Sequence, residues 1–508
     1  MTKCSTKKTN TINTDQNINS VSRSNMDQIN RVVSRRRRQT AARFFTYGVM
    51  SIATIVGVFI CISWAMGYRF DLEKGLSQVA LLQFNSFPTG SSVYVNSQRV
   101  SGRTPSRSNV ETGQVTVTMS RQGYREWKKI INAQPSTVRW LDYVRLVPEN
   151  VQTDSIHTFS SVDDLLASPD KKTAMALLDS KTGSLGQINV SDPTNVIVSV
   201  VNLSADTYVD KLSDGEKHSY ALVEWDSGSR YVLIEHKYND DTEYLEYDSR
   251  DGDIRNLTRD FGMDISSPHF SGTNGNVIFV LTGSDLRKID YDSNTISAPL
   301  ANNVQSYVLY GNSRIAFVSR IDNNESTKQF VSIYDDGSVE QIKEYDGDEI
   351  IRVDFSRVND IDYLVVARGE TIAIYPDPLQ NIGNNPDSAL TETAYLSSPG
   401  GIDWLDMSGN GRIVMAGLGN KIVSYDIETA ENYSFELKRS GKPAWLDDYH
   451  LLDIENDSIV MVEFDGQNRE NIVSGNLPAF LSNDGRYLFS LDSISGGVVL
   501  QRSSMITN

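Results

Sequence analysis

An aromatic residue followed by aspartate recurs at nearly constant spacing through the C-terminal two thirds of the chain. The intervals between successive copies are 44, 43, 41, 50 and 39 residues, a period typical of one four-stranded antiparallel sheet with its turns. This period constrains the fold strongly, because each copy must be a similar unit that buries its apolar faces against its neighbours. The marks are Tyr247-Asp248, Tyr291-Asp292, Tyr334-Asp335, Tyr375 with Asp377, Tyr425-Asp426 and Phe464-Asp465.

A short apolar run rich in β-branched residues lies ahead of each mark, and a turn signal precedes most of these runs. The composition favours strands buried between neighbouring sheets, and the turns predict tight hairpins. Each repeat is therefore predicted to be a meander of four strands. The runs include 277–280, 315–318, 363–367, 413–416 and 451–452, and the turns include 226–228, 274–275, 408–411 and 482–487.

Weaker copies at 174–178 and 487–490 raise the count to seven or eight repeats. An open array would leave unpaired strand edges, so we expect residues 155–160 to complete the last sheet and close a ring. The hairpin Ser-Asn-Asp-Gly-Arg-Tyr at 482–487 and the repeat around it resemble the β-propellers of WD-type and Tol-system-type proteins. The resemblance implies a seven- or eight-bladed propeller over residues 151–508, and it fixes the fold better than the function.

Residues 79–148 alternate short apolar runs with turns, the pattern of a small antiparallel β-domain. Its turn motifs resemble those of a PEGA domain, a small β-sandwich-like module of prokaryotic surface proteins. Thr89 and Ser91 stand where the naming tetrapeptide has Glu and Ala. The resemblance implies a spacer or wall-interaction role and brings no catalytic residues. The matching positions are Pro88, Gly90, Gly102, Thr104, Pro105, Gly123 and Tyr124.

Residues 44–66 carry no charge, and 23 helical residues span roughly the ~30 Å core of a bilayer. Arg35, Arg36, Arg37, Arg38 and Arg43 precede this span, so the positive-inside rule predicts a cytoplasmic N-terminus and an extracytoplasmic C-terminal region in the cell membrane. We expect a disordered basic tail over 1–43, a single transmembrane helix over 44–66 and a juxtamembrane linker over 67–78. The small-x-small sequence at 63–65 leaves a cleaved signal peptide open.

Charge and cysteine content exclude several classes of protein. Residues 1–43 hold ten Lys/Arg against two Asp/Glu, whereas the remainder holds 38 against 63. An acidic body repels phosphate backbones, so we expect no nucleic-acid partner. The two cysteines are Cys4 and Cys61, so residues 67–508 contain neither a disulfide nor a Cys-ligated metal.

Candidate sites have simpler structural explanations. The aromatic–Asp marks recur once per repeat, as packing and turn capping would require, and Trp225, Phe270, Phe355, Trp404, Trp445 and Phe480 are predicted to form core between blades. The acidic segments 248–253, 322–325 and 346–349 lack EF-hand spacing, and we expect solvated loops there. The histidines His157, His218, His236, His269 and His450 are scattered in sequence. We therefore predict no catalytic residue, metal or cofactor.

These features favour an all-β, membrane-anchored binding or scaffold protein whose propeller meets a cell-wall polysaccharide or an envelope protein. Two alternatives stay open: a hydrolase of glycan or peptide with carboxylates in the propeller channel, and a sensor that reports ligand binding through the basic tail. The long segment 376–393, which contains three prolines, is a candidate partner-binding loop.

Overall fold

The computed structural model describes residues 40, 42–66, 68–71, 75–203, 207–208, 217–239, 241–272, 275–311, 313–323, 326–380 and 394–507, with the backbone alone at 69–71, 75–77, 394 and 395. These residues belong to two compact units. One unit contains the N-terminal helix with residues up to 82, 108–115 and 132–139. The other contains 83–107, 116–131 and everything from residue 140 onward.

The N-terminal helix α1 (Ala42–Ala65) is long and apolar enough to cross a membrane. Its residues are almost all exposed, as its uniformly apolar surface requires if lipid rather than protein surrounds it. We expected residues 67–78 to be a linker, but β1 (Tyr68–Asp71) pairs antiparallel with the start of β2 (Gly75–Phe87). The chain is therefore already in extended, paired structure a few residues beyond the helix.

Residues 68–71 and 75–145 form two four-stranded sheets, the β-sandwich predicted from the sequence. One sheet has the order β1-β2-β5, with β8 also paired with β2, and the second has the order β4-β3-β6-β7. Buried and exposed residues alternate along β6 and β7, so one face of the second sheet is core and the other faces solvent. The remaining strands are β3 (Ser92–Val95), β4 (Gln98–Arg103), β5 (Ser106–Glu111), β6 (Gly113–Ser120), β7 (Trp127–Ala133) and β8 (Val138–Arg145).

Eight four-stranded antiparallel sheets follow in the described chain, and we number them as blades 1 to 8. Each blade is a meander in chain order, except that blade 8 takes its fourth strand from the start of the region. The resulting eight-bladed propeller resolves the count that the sequence left at seven or eight. A short helix, α2 (Leu257–Phe261), follows blade 2 and is capped by Asn256, whose side chain accepts from the Arg259 amide.

The first four blades comprise β10 (Asp164–Ala167), β11 (Thr173–Asp179), β12 (Ser184–Asn189) and β13 (Ile197–Asn202); β14 (His218–Trp225), β15 (Tyr231–Tyr238), β16 (Asp241–Asp248) and β17 (Ile254–Asn256); β18 (Ser266–Phe270), β19 (Val277–Thr282), β20 (Asp285–Asp290) and β21 (Thr295–Ile296); and β22 (Val304–Tyr310), β23 (Arg314–Asn323), β24 (Ser326–Asp335) and β25 (Ser338–Asp346).

The last four comprise β26 (Ile351–Val358), β27 (Ile361–Arg368), β28 (Thr371–Pro376) and β29 (Ala394–Ser397); β30 (Trp404–Met407), β31 (Ile413–Leu418), β32 (Lys421–Asp426) and β33 (Glu431–Glu436); β34 (Ala444–Trp445), β35 (His450–Glu455), β36 (Ser458–Glu463) and β37 (Glu470–Ser474); and β38 (Asn476–Leu481), β39 (Tyr487–Ile494), β40 (Gly497–Ser504) and β9 (Thr153–Phe159).

Ring closure is made by β9, which pairs antiparallel with β40 from Phe159 opposite Val498 to Thr153 opposite Ser503. The closing segment predicted from the sequence, 155–160, overlaps this strand and is confirmed. Pairing the first strand of the region with its last hairpin removes an exposed sheet edge. It also holds the two ends of the propeller chain together.

The core lies between blades. In β27, Leu364 and Val366 pack with blade 4 residues, whereas Val365 and Ala367 pack with Val414 and other residues of blade 6. Because successive strand residues point to opposite faces, an unbroken apolar run lets one strand serve two interfaces. This explains the continuous runs that the sequence shows in the second strand of each repeat.

Candidate functional site on the docked module and the channel mouth

The first two PEGA-like turn motifs meet in one hydrogen-bond network. Thr104 Oγ1 contacts Ser86 Oγ at 2.7 Å and accepts from the Ser91 amide at 2.9 Å, and its carbonyl accepts from the Gly90 amide. Gly90 adopts φ +88°, a conformation that favours glycine. The hydroxyl of Ser91, which replaces the family's alanine, also contacts Ser86 Oγ at 2.9 Å. The departure from the family tetrapeptide thus adds a buried hydrogen bond.

The third motif joins the module to the end of the chain. Gly123, with φ +82°, turns the backbone so that Tyr124 is buried. The Tyr124 hydroxyl accepts from the Thr507 amide at 2.7 Å. The role of Tyr124 is therefore structural.

Lys129 forms the centre of the contact between the module and blade 7. Its side chain is 3% exposed, Nζ lies 2.7 Å from Asp465 Oδ2, and it also pairs with Glu463. The indole N–H of Trp127, two residues earlier on the same face of β7, donates to Glu463 as well. Tyr143 packs edge-on to Phe464, with ring centroids 5.4 Å apart. One buried cation therefore balances two buried carboxylates.

The electrostatics of this cluster follow from that balance. Burial acts to lower the pKa of Lys129, but Glu463, Tyr143 and Asp465 outweigh burial and raise that pKa well above its usual value. Burial acts to raise the pKa of Glu463, and the Lys129 ammonium overcomes it and lowers that pKa. Burial raises the pKa of Asp465, the neighbouring Glu463 adds to the rise, and Lys129 offsets it only in part. The Lys129 ammonium therefore outweighs burial at Glu463 but not at Asp465.

Two outer ion pairs extend the contact. Arg145 Nε lies 3.0 Å from Asp447 Oδ2, and Arg125 Nη1 lies 2.9 Å from Glu470 Oε2. Burial acts to raise the pKa of Asp447, but His450 and Arg145 hold it below its usual range. Both of these partly exposed pairs contact blade 7 and help to orient the module on it, while the buried Lys129 cluster fixes its position.

A cavity of about 540 Å³ opens where the innermost strands end. It is lined by the ends of the first strands and the hairpins that follow them in blades 1, 6 and 7, and by the first strand of blade 8. The lining includes Lys171, Met407, Trp445 and Asp448. Trp445, expected to be buried core, is only half-buried here, and its indole N–H donates to Asp406 at 2.9 Å. The cavity offers an aromatic wall, a cation and a carboxylate at the mouth of the propeller channel.

The charged groups of this mouth are partly desolvated. Burial lowers the pKa of Lys171, and burial together with Asp447 raises that of Asp448. A second cavity of about 450 Å³ shares Met407 with the first and contains Asp354, whose pKa burial raises to about 6. Perturbed groups around a concave surface are typical of binding sites.

The aromatic–Asp marks lie at or just after the ends of third strands, where Asp caps its own turn. Asp248 Oδ1 accepts from the Arg250 amide, and Asp426 Oδ1 accepts from the Glu428 amide. An arginine at the start of the second strand holds the same carboxylates: the pairs are Arg230–Asp248, Arg314–Asp335 and Arg412–Asp426. Among the aromatic residues of the marks, Tyr247, Tyr375, Tyr425 and Phe464 are buried, and Tyr291 and Tyr334 are partly buried. Of the remaining aspartates, Asp292 accepts a hydrogen bond from Asn276, and Asp465 pairs with Lys129.

The arginine in these pairs was missed from the sequence, although it follows the turn glycine by one to three residues in Gly228-Ser-Arg, Gly311-Asn-Ser-Arg and Gly411-Arg.

Two histidines that are distant in sequence meet in blade 2. His218 Nδ1 lies 3.1 Å from His236 Nε2, and His236 Nδ1 lies 2.7 Å from Glu243 Oε1. Glu243 also accepts from Asn256 at 2.8 Å, and the Tyr220 ring stacks on His236. If Glu243 is ionised it accepts from His236, which fixes the tautomer of both rings. This hydrogen-bonded chain joins all four strands of the blade, from His218 on β14 to Asn256 on β17.

Several predicted positions lie outside the described residues: Arg35 to Arg38, and most of the loop 376–393. Pro376 ends β28, the third strand of blade 5, as predicted. In the acidic segments, Asp248 pairs with Arg230 and Asp322 with Arg320. Over the part of the chain that the structure describes, no three His, Cys, Asp or Glu side chains are grouped as a metal site would require.

Comparison with known proteins supports the domain assignment. The PEGA domain family matches residues 80–150. No curated protein matches the chain. The chain thus combines a PEGA domain with a C-terminal β-propeller.

Similar solved structures include the Dos1 propeller, which is 12% identical, with a TM-score of 0.41 over 70% of this chain and 95% of that chain. An oligogalacturonate lyase in complex with manganese is 10% identical, with a TM-score of 0.37 over 70% and 98%. A chain of the mitotic checkpoint complex is 11% identical, with a TM-score of 0.34 over 71% and 95%. The propeller assignment rests on the eight sheets rather than on these scores.

Proposed function

We propose that this protein is a membrane-anchored envelope scaffold that presents its propeller to a wall polymer or an envelope protein. The buried Lys129 cluster carries the proposal, because it fixes the PEGA domain to blade 7 instead of leaving two modules on a flexible tether. A fixed module and a closed ring make a rigid platform, which reduces the entropy lost when a partner binds.

In this proposal α1 spans the membrane with the basic tail in the cytoplasm. The uncharged span and the arginines before it support that orientation. The PEGA domain then follows the membrane span in the chain and precedes the propeller. The channel mouth is the partner-binding surface. Trp445, Lys171 and Asp448 supply stacking and polar contacts there.

A pull-down with the detergent-solubilised full chain tests this function against separated polysaccharide and membrane-protein fractions of the envelope. We expect one fraction to be retained, and Lys171→Ala to weaken retention. Lys172→Ala is the matched control, because Lys172 is exposed and absent from the cavity lining. Retention of neither fraction would contradict the proposal, and release of cleaved products would favour a hydrolase.

A further inference from the structure

The PEGA domain and the propeller carry opposite charge. Residues 79–148 contain nine Lys/Arg and three Asp/Glu, whereas residues 151–508 contain 27 and 57. Lys129, Arg125 and Arg145 face propeller carboxylates. Four other cations of the domain are exposed and form no ion pair with any residue that the structure describes: Arg99, Arg103, Arg107 and Lys128. A positive surface on an otherwise acidic protein favours an anionic ligand.

One of these cations lines a groove on the outer face of the sheet that contains β2. The groove has a volume of about 420 Å³ and is lined by Gln83, Asn85, Ser106, Arg107, Trp140 and Asp142. Its lining comes from β2 and from β5 and β8, which both pair with β2. The volume is in the range of sites for small ligands or for one segment of a polymer.

The side chains in the groove suit a sugar. Trp140 is 44% exposed, although its neighbours Leu141 and Tyr143 on β8 are buried. An exposed indole offers a flat apolar face with a polar N–H at its edge. Gln83 and Asn85 carry amides that both donate and accept hydrogen bonds. Ser106 Oγ is buried without a hydrogen-bond partner among the described residues, so a bound group would satisfy it.

The charges define the ligand further. Arg107 provides one positive charge with a planar fork of donors, which matches a carboxylate. Asp142 provides one exposed negative charge, which accepts from hydroxyl groups and repels a dianion. We propose that this groove binds a carboxylate-bearing polysaccharide: Trp140 stacks on a sugar ring, Arg107 pairs with the carboxylate, and Asp142 accepts from a hydroxyl. The inference rests on the proposed envelope-binding function and assigns a polymer site to the PEGA domain, in addition to the partner-binding surface at the channel mouth.

Binding of alginate, a linear polymer of uronic acids, to the full chain in detergent micelles tests this site. We expect the native chain to bind alginate and not the neutral polymer dextran, with affinity that falls as salt is added. Trp140→Ala and Arg107→Gln should each weaken binding about tenfold or more. Arg99→Gln removes an equally exposed and unpaired arginine from β4 on the other sheet, and should leave binding within about twofold.

Other outcomes overturn the inference. Equal binding of poly-glutamate would show attraction to any polyanion. Tighter binding of poly(glycerol phosphate), or of phosphatidylglycerol vesicles, would assign the groove to phosphate or to a membrane surface. If Arg107→Gln and Arg99→Gln both cause self-association without changing alginate binding, these arginines only protect edge strands. Polymer binding that depends on Lys171 and not on Trp140 would refute this site while the proposed function stands, and no binding of any envelope fraction would refute both.

Discussion

Replacing Lys129 by methionine should severely destabilise the PEGA domain and the blade on which it is docked. Methionine has a similar length and no charge, so it leaves Glu463 and Asp465 facing each other with side-chain exposures of 1% and 2%. Removing one partner of a buried ion pair costs about 3–5 kcal/mol, against a typical domain stability of about 5–15 kcal/mol. The variant should therefore lose a large fraction of the free energy of unfolding of blade 7 and the attached module.

The defect should depend on pH. Without the ammonium group, both carboxylates are buried near a like charge, which raises their pKa values and favours protonation. Acidification neutralises them, so Lys129→Met should recover stability relative to the native chain as the pH falls through these raised pKa values.

Urea unfolding followed by tryptophan fluorescence measures the effect, since Trp127 lies in the cluster. Lys128→Met is the matched control: Lys128 is the adjacent residue on β7 but is exposed, and its replacement should change the free energy of unfolding by less than about 0.5 kcal/mol. The triple variant Lys129→Met, Glu463→Gln, Asp465→Asn should recover most of the loss, because it removes the uncompensated charges. Equal midpoints for Lys128→Met and Lys129→Met would refute the reasoning.

Three further predictions follow from other parts of the structure. Burial raises the pKa of Glu246 to about 8, whereas the pKa of a glutamate in an unfolded chain is about 4.3. Between these two values the folded state binds one proton more than the unfolded state. The free energy of unfolding should therefore fall as the pH rises from about 4.5 to 8, by at most about 1.4 kcal/mol per pH unit. Glu246→Gln should flatten that slope in urea titrations at several pH values. Deletion of residues 153–159 should lower the melting temperature of the propeller sharply, because it unpairs β40 and opens the ring; an unchanged melting temperature would contradict closure by β9. Protease added to intact cells should remove the region beyond residue 67, and a C-terminus protected until lysis would refute the topology.

The repeat was predictable because it rests on local chemistry. In the marked blades an aromatic ring that packs in the core and an Asp that caps the following turn lie at or just after the end of the third strand, as Tyr425 and Asp426 show. Closure was predictable for a topological reason, since an open array leaves unpaired strand edges and residues 155–160 directly precede the first repeat. The pairing of β1 with β2 was not predicted, because the β-domain was expected to begin only at residue 79.

The Lys129 cluster was not predicted, although one signal was present. Trp127, Lys129, Ile131 and Ala133 occupy the buried phase of an alternating strand. A lysine in that phase implies a buried counter-charge. The position of that counter-charge more than 330 residues later depends on how the PEGA domain docks on blade 7, and no local pattern encodes docking.

The hydrogen-bonded chain of His218, His236 and Glu243 was not predicted from the sequence, for a different reason. His236 and Glu243 are equidistant from the β15–β16 turn, and the hairpin register places them opposite each other. The register was not worked out at the sequence level, so five histidines read as scattered. His218 joins the pair only through a second hairpin, with Tyr220 opposite His236.

The charge distribution links docking to binding. Because the propeller is strongly acidic, a basic PEGA domain is attracted to it, and Lys129, Arg125 and Arg145 are paired where the two meet. Docking alone would require no more cations than these. The exposed arginines of β4 and β5 face solvent instead, and Arg107 lies in a groove with Trp140. A domain that only spaced the propeller from the membrane would gain nothing from unpaired positive charge beside an exposed indole, and that excess is what a second, anionic ligand explains.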